Sequence, residues 1–80
     1  MIYVYIIKSL KDNGYYVGIS DNLEKRLKRH NKGNVRSTKS RRPFILVKSE
    51  LYDNYSLARQ REKEIKSYKG GVQFKELIKA

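Results

Sequence analysis

The feature that most constrains this fold is a pair of short strand-like segments on either side of an Asp-Asn-Gly turn. Residues 2–7 and 15–19 are rich in the β-branched and aromatic side chains that are typical of strands. Asn13 and Gly14 tolerate the positive φ angles that hairpin turns require. The sequence therefore predicts an antiparallel hairpin with a connecting loop of several residues.

The alternation of side chains along these strands separates them into two faces. Successive side chains of a strand point to opposite sides of the sheet. Tyr3, Tyr5 and Ile7 therefore share one face of the first strand, and Tyr16 and Gly18 share one face of the second. The hairpin is thus expected to present tyrosine side chains at regular positions on a sheet face.

A basic helix is predicted directly after the hairpin. Ser20 or Asp21 is positioned to cap it, and Glu24 follows Asp21 at the spacing of a capping box. At about 100° per residue, Leu23 and Leu27 define the face that points towards the sheet. We expect this helix to pack on the sheet through the two leucines.

Two polar side chains fall on the same broad face as the leucines. Arg26 and His30 are one helical turn apart and are directed towards the sheet that carries the tyrosines. Burying a cationic or titratable group without a partner is costly. The pattern therefore predicts a polar site between this helix and the hairpin.

These residues resemble the GIY-YIG nuclease domain. The resemblance rests on Tyr3-Val4-Tyr5, then Tyr16-Val17-Gly18, then Arg26 and His30, and it covers nearly the whole chain. The chain looks most like the small stand-alone bacterial proteins of this family, which are similar to the catalytic domain of the excision-repair endonuclease. It departs from the pattern at Tyr3, where the family has Gly, and more mildly in the second triplet.

The resemblance implies a set of site residues. The expected catalytic residues are Tyr5, Tyr16, Arg26 and His30, with Tyr5 as the general base. The strongly basic surroundings are expected to ease the deprotonation of Tyr5. Glu62, in a predicted second helix, matches the family's acidic metal ligand. It is expected to hold one divalent cation, Mg²⁺ or Mn²⁺, because carboxylate oxygens suit hard cations.

Each of these residues also has a purely structural interpretation. Tyrosines in strands commonly pack in the sheet, and His30 is placed where it could pair with the helix dipole. Glu62 has helical spacing for an ion pair with Arg59 or Lys66. The residues alone leave both interpretations open.

The charge of the chain indicates an anionic partner. The net charge is +11 and the isoelectric point is about 10.0, which favours nucleic acid over an acidic membrane surface. Residues 31–43 predict a loop in which hydroxyls are interleaved with cations, a combination that suits phosphate contacts. The alternative is a solvated mobile loop. The candidate nucleic-acid-binding residues are Lys32, Arg36, Thr38, Lys39, Ser40, Arg41 and Arg42.

The remaining segments complete a small domain. Residues 44–52 predict a third strand, residues 55–69 a helix with Leu57, Ala58, Ile65 and Tyr68 in its apolar stripe, and residues 72–79 a closing helix. Eighty residues allow one domain, residues 1–80, that buries roughly 60% of its unfolded surface. The expected fold is α+β, a three-stranded antiparallel sheet flanked by helices in the order ββαβαα.

The composition favours a cytoplasmic protein. The chain contains no cysteine and no long apolar run, so neither a disulfide framework nor a membrane span is expected. The leading hypothesis is a metal-dependent endonuclease that hydrolyses DNA rather than RNA. Its expected substrate is branched or damaged DNA in repair or recombination. A protein partner is expected to supply specificity. The alternative is a non-catalytic nucleic-acid-binding module with the same fold. An RNA-processing or ribosome-associated protein would share the charge but does not predict the five site residues together.

Overall fold

In the computed structural model, which describes residues 1–79, the chain folds into a three-stranded antiparallel sheet and three α-helices. The spatial order of the strands is β2-β1-β3. Along the chain the elements are β1 (Ile2–Ser9), β2 (Tyr15–Ser20), α1 (Leu23–Lys32), β3 (Phe44–Tyr52), α2 (Tyr55–Ser67) and α3 (Val72–Lys79). This confirms the predicted α+β class and the order ββαβαα.

The central strand β1 sets the register of the sheet. Tyr5 lies opposite Gly18 of β2 and opposite Ser49 of β3. Because β1 has a neighbour on each side and helices on each face, almost all its residues are buried. This explains why its sequence is nearly continuously apolar rather than strictly alternating.

Helices cover the two faces of the sheet and create two apolar clusters. On one face Ala58 and Ile65 of α2 and Phe74 of α3 pack on the sheet. On the other face Leu23 and Leu27 of α1 pack there, as the helical pattern predicts. The sheet contributes Ile2, Val4, Ile6 and Val17 to the first cluster, and Tyr5, Ile7 and Phe44 to the second.

The start of α1 differs from the prediction. Asn22 caps the helix, not Ser20 or Asp21, because its side-chain oxygen accepts a hydrogen bond from Lys25 N at 3.0 Å. Glu24 consequently does not complete a capping box. It forms an exposed ion pair with Lys28 instead.

Three other features also differ from the prediction. Helix α1 extends to Lys32, and residues 39–41 form a short 3₁₀ helix, so the segment 31–43 is not a simple loop. Helix α2 ends at Ser67 rather than Lys69, because Lys69 has a left-handed φ of 50°. Leu57 is exposed and lies outside the apolar stripe.

None of the helices in residues 1–79 is long and apolar enough to span a membrane.

Candidate active site

Tyr5 is a fully enclosed polar side chain of the central strand. It is 1% exposed, and its hydroxyl lies 2.9 Å from Nε2 of His30. The same hydroxyl accepts a hydrogen bond from Nε of Arg26 at 3.4 Å. The helix α1 therefore places both of its inward polar side chains on the hydroxyl of one tyrosine, which is the polar site that the helical spacing predicts.

Gly18 provides the space for the Tyr5 ring. A Cβ atom at residue 18 would lie 2.5 Å from the Tyr5 hydroxyl oxygen and 2.6 Å from Cζ. Real Cβ atoms do not approach other atoms so closely, so the ring occupies room that only glycine leaves. The glycine of the second triplet thus has a steric role in this site.

His30 is fully buried and is held from both sides. Its Nδ1 lies 2.7 Å from Oγ1 of Thr38, and that hydroxyl donates to the carbonyl oxygen of Val35 at 3.4 Å. A hydroxyl has only one proton to donate, so Thr38 accepts from Nδ1–H of His30. These partners assign the neutral tautomer with the proton on Nδ1, which leaves Nε2 to accept the Tyr5 proton.

Tyr16 completes an aromatic wall beside these groups. Its ring centroid lies 5.1 Å from that of His30 and 6.4 Å from that of Tyr5. Phe44, at the start of β3, packs 5.9 Å from His30 on another side. The structure therefore brings together Tyr5, Tyr16, Arg26 and His30, the four residues predicted to be catalytic, although their chemical roles stay predictions.

Burial controls the protonation of this cluster. Desolvation raises the pKa of Tyr5, and the hydrogen bond and positive charge of Arg26 only partly oppose that rise. Desolvation, followed by repulsion from Arg26 and Arg29, lowers the pKa of His30 to about 4. Both side chains are therefore neutral at pH 7, contrary to our expectation that the surrounding cations would ease deprotonation of Tyr5.

Glu62 lies on α2 at the edge of the site. Its side chain is 20% exposed and forms an ion pair with Nζ of Lys66 at 3.2 Å. Its negative charge also contributes to the raised pKa of Tyr5, so it lies within electrostatic reach of the tyrosine. The structural interpretation of Glu62 as an ion-pair partner is thus realised, and the metal-ligand role stays a prediction.

The predicted nucleic-acid-binding residues fall into distinct environments. Lys32, Arg36, Lys39, Ser40 and Arg42 are exposed, so they are available to a phosphate backbone. Arg41 pairs with Asp12 of the hairpin loop, with Nε and Oδ2 2.7 Å apart, and its guanidinium lies 5.7 Å from the Phe44 ring centroid. Arg41 therefore ties the segment to the hairpin.

Thr38 requires a correction. The sequence predicts it as a phosphate contact, but its side chain is fully buried and bonded to His30. The hydroxyl of Thr38 is used inside the protein by Nδ1 of His30 and by the carbonyl oxygen of Val35, so the side chain does not offer a phosphate contact. Its place in the site was missed because eight residues and a turn separate it from His30, and no local periodicity relates the two.

Asn31 is a second residue that the sequence reasoning missed. Its side-chain oxygen accepts from Phe44 N at 2.6 Å, and its amide donates to the Phe44 carbonyl at 3.1 Å. The side chain thus fastens the end of α1 to the first residue of β3. The only signal in the sequence is an asparagine next to His30, which is not specific.

The fold and the polar cluster define a GIY-YIG-type domain, and the chain belongs to this family. The model of the GIY-YIG catalytic domain matches residues 1–73. The match includes Tyr5, Tyr16, Arg26, His30 and Glu62. Proteins of this family are typically nucleases.

The similar proteins are small bacterial members of one group. A UPF0213 protein of Staphylococcus haemolyticus is 46% identical over 67 residues, which cover 82% of this chain and 80% of that protein. A UPF0213 protein of Clostridium perfringens is also 46% identical over 67 residues, 82% of this chain and 71% of that protein. The solution NMR structure of a UPF0213 protein from Bacillus halodurans is 31% identical, with a TM-score of 0.55, and the match covers 98% of this chain and 82% of that chain.

Proposed function

We propose that this chain is a metal-dependent endonuclease that hydrolyses phosphodiester bonds in DNA. The observation that supports it best is the hydrogen-bonded chain Tyr5–His30–Thr38 with Arg26 on the same tyrosine hydroxyl. Packing alone does not require four polar groups to converge there, since each costs free energy to bury. We propose branched or damaged DNA as the substrate, in repair or recombination in the cytoplasm, with a protein partner that adds specificity.

The proton path follows from the hydrogen bonds. Tyr5 takes a proton from the attacking water as its own hydroxyl proton moves to Nε2 of His30. The water oxygen forms a bond to phosphorus as the bond from phosphorus to the leaving oxygen breaks, and the leaving oxygen takes a proton from solvent. His30 becomes an imidazolium that keeps its Nδ1–H bond to Thr38. Because burial raises the pKa of Tyr5, its side chain is a neutral phenol before the reaction. Tyr5 can therefore act as a base only by passing its own proton to His30 in the same step.

Arg26 supplies the positive charge for the reaction. Its hydrogen bond to Tyr5 raises its own pKa, so the guanidinium stays charged. A fixed cation beside the reacting phosphate stabilises the negative charge that develops in the transition state. Arg26 is thus the electrostatic component of the proposed mechanism.

Glu62 is the proposed ligand of one Mg²⁺ or Mn²⁺ ion. Residues 1–79 contain no cluster of three or more His, Cys, Asp or Glu side chains suited to a metal. The proposal therefore rests on this single carboxylate, which suits a hard cation that keeps most of its waters. On binding the ion, the half-buried carboxylate of Glu62 would give up its ion pair with Lys66. When bound, the ion would polarise a phosphate oxygen as a Lewis acid.

A non-catalytic nucleic-acid-binding module is the second candidate. The observation that favours it is the raised pKa of Tyr5, which opposes base catalysis unless His30 accepts the proton. The net charge of +11 supports binding under either proposal. Only a cleavage measurement separates the two.

A cleavage assay tests the proposal directly. Supercoiled plasmid, single strands and a branched junction are incubated with the protein and Mg²⁺ or Mn²⁺, and in parallel with a chelator. We expect metal-dependent cutting that Tyr5→Phe, Arg26→Ala and Glu62→Ala abolish. The matched controls are Tyr15→Phe, which packs on Phe74 on the other sheet face, and Glu76→Ala, an exposed carboxylate of α3.

Two outcomes would contradict the proposal. Cutting that survives Glu62→Ala would remove the metal-ligand assignment. Absence of cutting on every substrate, with salt-sensitive DNA binding intact, would favour the binding module.

A further inference from the structure

A polar cleft adjoins the Tyr5 cluster and contains an aromatic side chain that the mechanism does not use. The cleft runs between the end of β2, the first turns of α1 and the first residue of α2. It shares Arg26 with the cluster, so it is continuous with the proposed reaction centre. Its lining includes Asp21, Lys25, Arg26, Arg29 and Tyr55.

Tyr55 places an exposed aromatic ring in this cleft, and Arg59 contacts that ring. It is 45% exposed at the start of α2, and the Arg59 guanidinium lies over it, 5.4 Å from the ring centroid. A cation one helical turn away holds the ring and covers one side through a cation–π contact. Tyr55 packs in neither apolar cluster, so its ring is free to contact a ligand.

The charges around Tyr55 suit an anion. Lys25, Arg26 and Arg29 line the cleft on the α1 side, and Asp21 is the one acidic lining residue. Proteins that bind single-stranded nucleic acids commonly place an exposed aromatic ring beside a row of cations. The bases stack on the ring and the phosphates contact the cations. A base within a duplex is already stacked and does not present its face to such a ring.

We propose that this cleft binds an unpaired nucleotide next to the scissile phosphate, with its base stacked on Tyr55 and its phosphate on Lys25 and Arg29. This rests on the proposed nuclease function and specifies its substrate. The preferred DNA then has an unpaired nucleotide at the cleavage position, as in single strands, flaps and branch points. Tyr55 acts in specificity, whereas the chemistry remains with Tyr5, His30 and Arg26.

The test measures binding in the presence of chelator, so that it does not depend on cleavage. Fluorescence anisotropy with a labelled oligothymidine strand and with a blunt duplex of equal length gives the two affinities. We expect Tyr55→Ala to weaken single-strand binding roughly 5- to 100-fold, the usual effect of losing one stacked base. Duplex binding should change less than twofold.

Two further variants separate stacking from bulk. Tyr55→Phe keeps the ring and should bind the single strand like the wild type. Tyr55→Leu keeps apolar volume without a π face and should behave like Tyr55→Ala. A strand with 2-aminopurine at the bound position should show fluorescence quenching with the wild type and Tyr55→Phe only. Since Tyr55 is exposed, equal thermal midpoints should show that every variant folds.

The outcomes distinguish this proposal from the nuclease proposal. Equal single-strand affinity of the wild type and Tyr55→Ala, with duplex binding intact, would overturn the stacking site alone. Equal losses on single strand and duplex would also overturn it, because stacking on an unpaired base predicts a selective loss. Failure of the wild type to bind either DNA would overturn both proposals. A selective loss in a protein that does not cleave would support the site and contradict only the catalytic proposal.

Discussion

Replacing Gly18 with alanine tests whether Tyr5 is held as tightly as the site requires. The added Cβ would lie 2.5 Å from the Tyr5 hydroxyl oxygen and 2.6 Å from Cζ. Tyr5 is 1% exposed, so its ring has no free space to enter. Overpacking of this kind costs about 1–3 kcal/mol, and displacement of the hydroxyl from His30 adds the loss of a hydrogen bond, about 1 kcal/mol.

Part of this cost is offset in the unfolded chain. Alanine has less backbone freedom there than glycine, which favours folding by about 0.4–1 kcal/mol. The expected net loss in the free energy of unfolding is therefore about 1–4 kcal/mol. Each kcal/mol lowers the thermal midpoint of a domain of this size by roughly 4–8 °C. If the proposed function holds, cleavage should fall about 100-fold, since a misplacement near 1 Å has that effect.

Urea unfolding of four proteins measures the effect: wild type, Gly18→Ala, Tyr5→Ala and the double variant. Because Tyr5→Ala removes the atoms that the new Cβ would meet, Gly18→Ala should cost much less in that background, with a coupling of at least about 1 kcal/mol. Ser49→Ala is the control, because Ser49 is an exposed strand residue opposite Tyr5 on the other side. Wild-type stability of Gly18→Ala, with zero coupling, would refute the reasoning.

Three further predictions concern the proton path and the basic segment. Thr38→Val should lower the free energy of unfolding by about 1–3 kcal/mol, because Nδ1–H of buried His30 loses its acceptor. Thr38→Ser keeps the hydroxyl and should retain both stability and cleavage. Wild-type stability of Thr38→Val would contradict the tautomer assignment. The pKa of His30 is about 4 in the folded protein, against 6.5 in the unfolded chain. Between these two pH values the unfolded chain binds more protons than the folded protein does. The free energy of unfolding should therefore fall as the pH decreases from 6.5 towards 4, by on the order of 3 kcal/mol at most. His30→Gln should flatten that part of a urea-denaturation pH series, and an unchanged slope would argue against a buried neutral histidine. Arg36→Gln and Arg42→Gln should each reduce the slope of log affinity against log salt by about 0.9 if each contacts one phosphate, whereas unchanged slopes would remove these residues from the DNA interface.

The tertiary contacts explain why some predictions from local patterns failed. The observed cap of α1 is Asn22 rather than the predicted Ser20 or Asp21. Three residues that can cap a helix are adjacent in the sequence, and the path of the backbone decides which of them accepts from Lys25 N. Thr38 resembled a phosphate contact because hydroxyls among cations usually are exposed. The fold turns this one inward, where His30 needs an acceptor.

Local periodicity determined the sheet faces and the inward face of α1. A repeat of two along a strand and of 3.6 along a helix follows from backbone geometry, so the sequence alone directs Arg26 and His30 towards the sheet that carries the tyrosines. The resemblance then groups them with Tyr5 and Tyr16. These side chains do converge. The resemblance to the GIY-YIG domain, also a property of the sequence, is confirmed by the family match.

Only the tertiary structure decided the protonation states and the long-range partners. The sequence shows an excess of cations, which suggests an easily ionised Tyr5, but burial by α1 and β2 raises its pKa instead. Whether desolvation or nearby charge prevails depends on which atoms cover a group, and no local pattern encodes that. The same reason explains Thr38 on His30 and Arg41 on Asp12, since both contacts join segments that meet only when the chain is folded.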